Sequence, residues 1–162
     1  MREINLPISY FEYDHPEELS NEDQELLQKA EQIASNAYAP YSGFFVGSAV
    51  LLENGEIYAG SNQENVAFPS GLCAERVALF YATSRYPDIP VKSIAITAKS
   101  GEFVVKDPVT PCGACRQVMA EIEIRFDNPI RLILKGATNK VLVVKGINNM
   151  LPLMFQAKEL KI

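Results

Sequence analysis

The sequence contains no tryptophan, one histidine (His15) and three cysteines in 162 residues. No apolar run reaches the roughly 18 residues that a membrane-crossing helix needs, so no membrane partner is expected. The first stretch, MREINLPISYFEYDHPEE, has no apolar core of the kind a secretory signal carries. A cytoplasmic location is therefore predicted. An odd number of cysteines without such a signal argues against a disulfide framework. With a single histidine available, any metal site has to be rich in thiolate. Internal repeats and low-complexity linkers are absent, and so is the basic, aromatic-interleaved stripe that captures polynucleotide phosphates. Polymeric nucleic acid is excluded as an expected partner.

What is present fits a globular chain. Apolar residues make up 48% and charged residues 22% of the sequence. The length matches one domain with a full core. The net charge of −5 is unevenly spread, with nine acidic side chains against Arg2 and Lys29 in residues 1–35 and near balance beyond. These features suggest an N-terminal extension over residues 1–19 and a single catalytic domain over 20–162.

Ser20 to Ala39 reads as a helix. Ser20 caps it, Glu22 and Asp23 suit its positive end, and Leu26, Leu27, Ala30, Ile33, Ala34 and Ala37 form an apolar stripe that Pro40 ends. Val46 to Leu52 and Ile57 to Gly60 flank the hairpin dipeptide Asn54-Gly55. Leu72 to Tyr86 is apolar almost all round and predicts a buried helix. Val91 to Ala98 predicts a strand. Pro111 opens a helix running from about Gly113 to Arg125. Two further strands, Ile130 to Leu134 and Val141 to Val144, follow, and the apolar tail Leu151 to Phe155 is expected to dock. This order predicts an α/β fold with one mixed sheet and helices packed on it.

Two segments carry chemistry: Cys73-Ala74-Glu75 and Pro111-Cys112-Gly113-Ala114-Cys115. Each lies at a predicted helix start. One helical turn puts Cys112 and Cys115 on the same side, and Cys73 supplies a third sulfur. Three protein ligands with one open position is the pattern of a catalytic zinc, whereas structural zinc is normally closed by four. Glu75, two residues after a ligand, is placed to shuttle protons. A thiolate-rich zinc with a non-ligand glutamate beside a P-C-x-x-C segment is the mark of zinc nucleobase deaminases. Three thiolates leave the site net negative. Two helix N-termini and Arg76, one turn from Cys73, offset that charge, and Arg76 is expected to donate to a ligand sulfur.

From about Ala37 to Phe155 the chain resembles the short, homotetrameric, three-cysteine zinc type of cytidine deaminase. The resemblance rests on Ala37-Tyr38-Ala39-Pro40-Tyr41-Ser42-Gly43-Phe44-Phe45-Val46-Gly47, Asn62-Gln63-Glu64-Asn65, Cys73-Ala74-Glu75-Arg76 and Pro111-Cys112-Gly113-Ala114-Cys115-Arg116-Gln117. It implies a three-layer α/β/α fold with a mixed five-stranded sheet, and one Zn²⁺ per subunit on Cys73, Cys112 and Cys115. It also implies Glu75 as the catalytic proton shuttle. Asn62 and Glu64 would bind the sugar 3′-hydroxyl, Phe44 would pack on the pyrimidine with Val46 beside it, and the Ala74 backbone would face the base. Phe155 would reach a neighbouring subunit's site in a homotetramer. The implied substrates are cytidine and deoxycytidine, in pyrimidine salvage.

The chain departs from the family pattern at Phe68, where tyrosine is usual, and at Pro69-Ser70-Gly71. The loop from Gly101 to Val109 has no function legible in its residues. Three other readings stay open: a zinc deaminase of another cytosine nucleoside such as blasticidin S or of a base in RNA or DNA, a zinc-stabilised binding module, and a redox protein using Cys112 and Cys115.

Overall fold

Apolar residues alternate along the central strands, and the two phases of that alternation end in two different cores. The computed structural model describes residues 1–156. Its elements in chain order are β1 (Phe11–Tyr13), α1 (Asn21–Ile33), β2 (Phe44–Leu52), β3 (Ile57–Ser61), α2 (Ala74–Arg85), β4 (Val91–Ser100), α3 (Gly113–Phe126), β5 (Arg131–Lys135) and β6 (Val141–Lys145). They form one sheet in the order β1-β6-β5-β4-β2-β3. Among the described residues β4 and β5 are the only neighbouring strands that run parallel, and α3 is the crossover between them.

Val50, Leu52, Ile94, Ile96, Leu132 and Leu134 face one side, where they bury Leu79 of α2 and Cys115 and Met119 of α3. Ala49, Leu51, Ala95 and Ile133 face the other and bury Leu26, Leu27 and Ala30 of α1. The result is the expected three-layer α/β/α arrangement. α1 lies very close to the sheet: a Cβ on Gly47 of β2 would sit 2.0 Å from the Ala30 carbonyl oxygen, so only glycine fits there.

The sheet has six strands rather than five. The extra one is β1, which pairs Phe11 to Tyr13 antiparallel with Val143 to Val141. Its three residues lie within the acidic extension and are too few for a period of two to be legible.

Element ends also move. α1 stops at Ile33 and continues as a 3₁₀ turn over Ala34–Asn36, before the chain becomes extended at Ala37. Its start is as expected, with Ser20 Oγ accepting from Asp23 N at 3.2 Å. α2 begins at Ala74, and it is not buried all round, since Phe80 and Tyr81 are exposed. Pro111 lies outside α3, whose N-cap is Cys112. In the tail, Leu151 and Met154 pack on the core beneath α2 and α3, while Leu153 and Phe155 stay exposed. No helix among the described residues is long and apolar enough to cross a membrane.

Candidate active site

α2 and α3 each begin immediately after a cysteine, Cys73 and Cys112 being the two N-cap residues. The N-cap position is the point where helix dipoles and unpaired N–H groups favour negative charge. Cys115, one turn into α3, completes a group whose three sulfurs all lie within 4.8 Å of one another. Cys73 Sγ is 3.8 Å from Cys112 Sγ, which is 3.4 Å from Cys115 Sγ. Sulfurs about 2.3 Å from a tetrahedral zinc stand roughly 3.8 Å apart, so the trio fits that ion with little movement.

No histidine or carboxylate joins this group among the described residues. His15 instead pairs with Asn139, 3.3 Å away in the turn between β5 and β6. A fully closed structural site therefore lacks its fourth protein ligand here.

The electrostatics suit a site that gathers negative charge. The hydrogen bond with Cys115, followed by Arg76 and Cys112, pulls the Cys73 thiol down to about 5 against the opposing effect of burial. The same hydrogen bond and burial push Cys115 up. Arg76 Nη2 donates to Cys73 Sγ at 3.8 Å, as expected from the sequence, and this contact raises the guanidinium further. Glu75 is only 4% exposed. Burial holds its carboxyl above the usual range.

These groups open onto a cleft of about 690 Å³, a volume that takes a nucleoside-sized ligand. Its lining includes Cys73, Glu75, Arg76 and Cys112 together with Phe44, Val46, Asn62 and Glu64. The structure thus brings most of the candidate residues together. Ala74 is fully buried at the start of α2 and is not part of the lining. Phe155 is 70% exposed and away from the cleft, with its carbonyl accepting from Gln117 Nε2 at 3.1 Å.

A zinc-binding deaminase family profile, described as "Cytidine and deoxycytidylate deaminase zinc-binding region", matches residues 20–126, which include all three cysteines and Glu75. The chain belongs to this deaminase family. It is 39% identical over 138 residues to a cytidine deaminase of Sporosarcina psychrophila, covering 85% of this chain and 93% of that one. With a cytidine deaminase of Halalkalibacterium halodurans it shares 46% over 99 residues, covering 61% and 70% respectively. The crystal structure of a cytidine deaminase from Burkholderia pseudomallei superposes with a TM-score of 0.71 at 32% identity, over 85% of this chain and 100% of that chain.

Within the deaminase cleft, two residues are structural supports as well as lining. Asn62 Oδ1 accepts from Val46 N at 2.8 Å, and its Nδ2 donates to the Phe44 carbonyl at 2.9 Å. The side chain therefore acts as a rung holding the start of β2. Glu64 accepts from Tyr41 N, Ser42 N and Ser42 Oγ, at 2.9, 3.3 and 2.5 Å. The Ser42 hydroxyl lowers the Glu64 carboxyl first, and the Tyr41 N–H adds to this.

Sequence reasoning missed Ser42 and Arg116. The Arg116 guanidinium donates to the Pro111 carbonyl at 2.7 Å and the Met150 carbonyl at 2.8 Å, tying the cysteine loop to the tail. Both residues stand inside the family motifs, yet the Glu64 carboxylate that Ser42 meets and the Met150 carbonyl that Arg116 meets lie far along the chain, where no local pattern reveals them.

Proposed function

We propose that this chain hydrolyses cytidine and deoxycytidine at C4, releasing ammonia and giving uridine and deoxyuridine, with one Zn²⁺ per subunit held by Cys73, Cys112 and Cys115. The observation that carries this reading is a group of three sulfurs at two helix starts, of which Cys73 and Cys112 line one nucleoside-sized cleft together with the buried Glu75. When bound, the zinc lowers the pKa of a water so that it becomes a nucleophile at neutral pH.

The chain's own residues do the rest. Glu75 takes a proton from the attacking water, passes it to N3 of the base so that C4 becomes electrophilic, and then carries a proton to the departing amine. Arg76 and the two helix N-termini hold down the charge of the thiolates. Phe44 and Val46 form the apolar wall for the pyrimidine. Glu64, held by Tyr41 and Ser42, and Asn62, held by the start of β2, offer remaining lone pairs to a sugar hydroxyl. That pair favours a free nucleoside over a base in a polymer.

The catalytic domain begins near residue 20, where the family match begins. A homotetramer with shared sites is supported by the exposed Tyr41, Val66 and Phe68 near the cleft and by Phe155, which is exposed and does not line its own cleft. Three thiol ligands suit a reducing, cytoplasmic compartment.

Loss of ultraviolet absorbance on adding the protein to cytidine, deoxycytidine, blasticidin S or a single-stranded oligonucleotide, with and without a chelator, tests the assignment. Chelator-sensitive turnover of the first two is expected. Turnover of only the third or fourth refutes it.

A further inference from the structure

The segment from Gly101 to Val109 is the one stretch near the cleft whose purpose neither motif nor resemblance supplies, and its placement is specific. In the β2–β4 pairing Phe44 lies opposite Ser100, the last residue of β4. The chain leaves the sheet at that rung and returns Phe103 to Phe44. The two rings lie nearly parallel, with centroids 6.3 Å apart and planes 17° apart.

The segment is fixed just past that contact. Ala137 N donates to the Val105 carbonyl at 2.6 Å, and Thr138 Oγ1 donates to the Lys106 carbonyl at 2.8 Å. Gly136 lets the strands' turn press against it, since a Cβ there would stand 2.3 Å from the Asp107 carbonyl oxygen and 2.6 Å from that of Val105. Farther on, Val109 and Thr110 line the cleft, ahead of Cys112.

The Phe44 backbone is already immobilised, with its N–H donating to Ser42 Oγ at 3.1 Å and its carbonyl accepting from Asn62. What remains free is the rotation of its ring, beside which the Phe103 ring lies. Phe103 is 56% exposed, so it adds little to the core.

We propose that Phe103 is a positioning residue for nucleoside binding: it holds the Phe44 ring in one orientation, so that the cleft presents a preformed apolar face to the base. This rests on the reading of Phe44 as the residue that packs on the pyrimidine. Fixing a contact face before the ligand arrives removes part of the ordering cost of binding.

The test compares wild type, F103A, F103Y, F44A and the F44A/F103A double variant by KM and kcat for cytidine and by inhibition with the product uridine. F103A is expected to raise KM and the uridine inhibition constant together by about threefold to tenfold, as the loss of an aromatic pair implies. kcat and melting temperature should stay close to wild type, and F103Y should restore binding. In the F44A background F103A should add nothing, because its effect passes through Phe44. An unchanged KM in F103A, or effects that multiply in the double variant, overturns the inference while leaving the proposed activity intact. Absence of any KM change in F44A removes the role of Phe44 itself, and the inference falls with it.

Discussion

Ser42 Oγ donates to Glu64 Oε1 at 2.5 Å and accepts from Phe44 N at 3.1 Å. One hydroxyl thus joins a cleft carboxylate to the residue at the head of β2. The Ser42 hydroxyl, then the Tyr41 N–H, keeps the Glu64 pKa below its ordinary value. Its contribution to stability is therefore present above the ordinary carboxylate range and lost as pH falls through the lowered pKa. Melting temperatures measured from pH 7 down to about 3 should fall less steeply in E64Q than in wild type. Parallel curves contradict the role given to Glu64.

Glu75→Gln removes the proton carrier and keeps the shape. It is expected to lower kcat by about 100-fold to 10,000-fold or more while zinc content stays at wild-type level. Metal analysis beside steady-state kinetics checks both halves, and near-full turnover of the variant refutes the shuttle.

Cys112 belongs to the sulfur group that could hold a metal ion and is the N-cap of α3. Cys112→Ala should lose the metal and lower the melting temperature, because ligand binding to the native state adds to folding stability. Chelation of the wild type should have the same direction of effect, reversed by added zinc. A variant as stable as wild type and fully loaded speaks against the three-sulfur site.

Asp23 couples α1 to the sheet. Its Oδ2 accepts from Arg131 Nε at 3.0 Å and Nη2 at 2.9 Å, with Asp23 4% exposed. Breaking a fully buried pair costs about 3–5 kcal/mol. Because Arg131 is partly solvated, Asp23→Ala should cost nearer ~2 kcal/mol, read from denaturant midpoints. A loss within experimental error contradicts this coupling.

The sheet's central strands and three helices were legible because hydrophobic period and local punctuation agree there. Ser20, Asn54-Gly55 and the two cysteine segments mark boundaries by their own chemistry. β1 was not legible, since three residues gain strand geometry only from pairing with β6. Pro111 misled by one element position: the cysteine after it, not the proline, opens α3. The sulfur cluster could be read because its spacing is helical within one segment and its motifs are distinctive. The rungs of Asn62 and the clasp of Glu64 could not, because their partners lie 16 to 23 residues away in the chain. Glu123, which accepts from the backbone N–H groups of Ile130 and Ile147 at 2.7 and 2.8 Å, escaped notice for the same reason.

Zinc K-edge absorption spectroscopy on the purified protein tests the three-sulfur centre most directly. Three sulfur scatterers near 2.3 Å and one lighter oxygen scatterer per zinc are expected, with one zinc per chain. A fourth protein ligand filling the sphere, or protein isolated with no zinc and unable to bind it, contradicts the reading at its root.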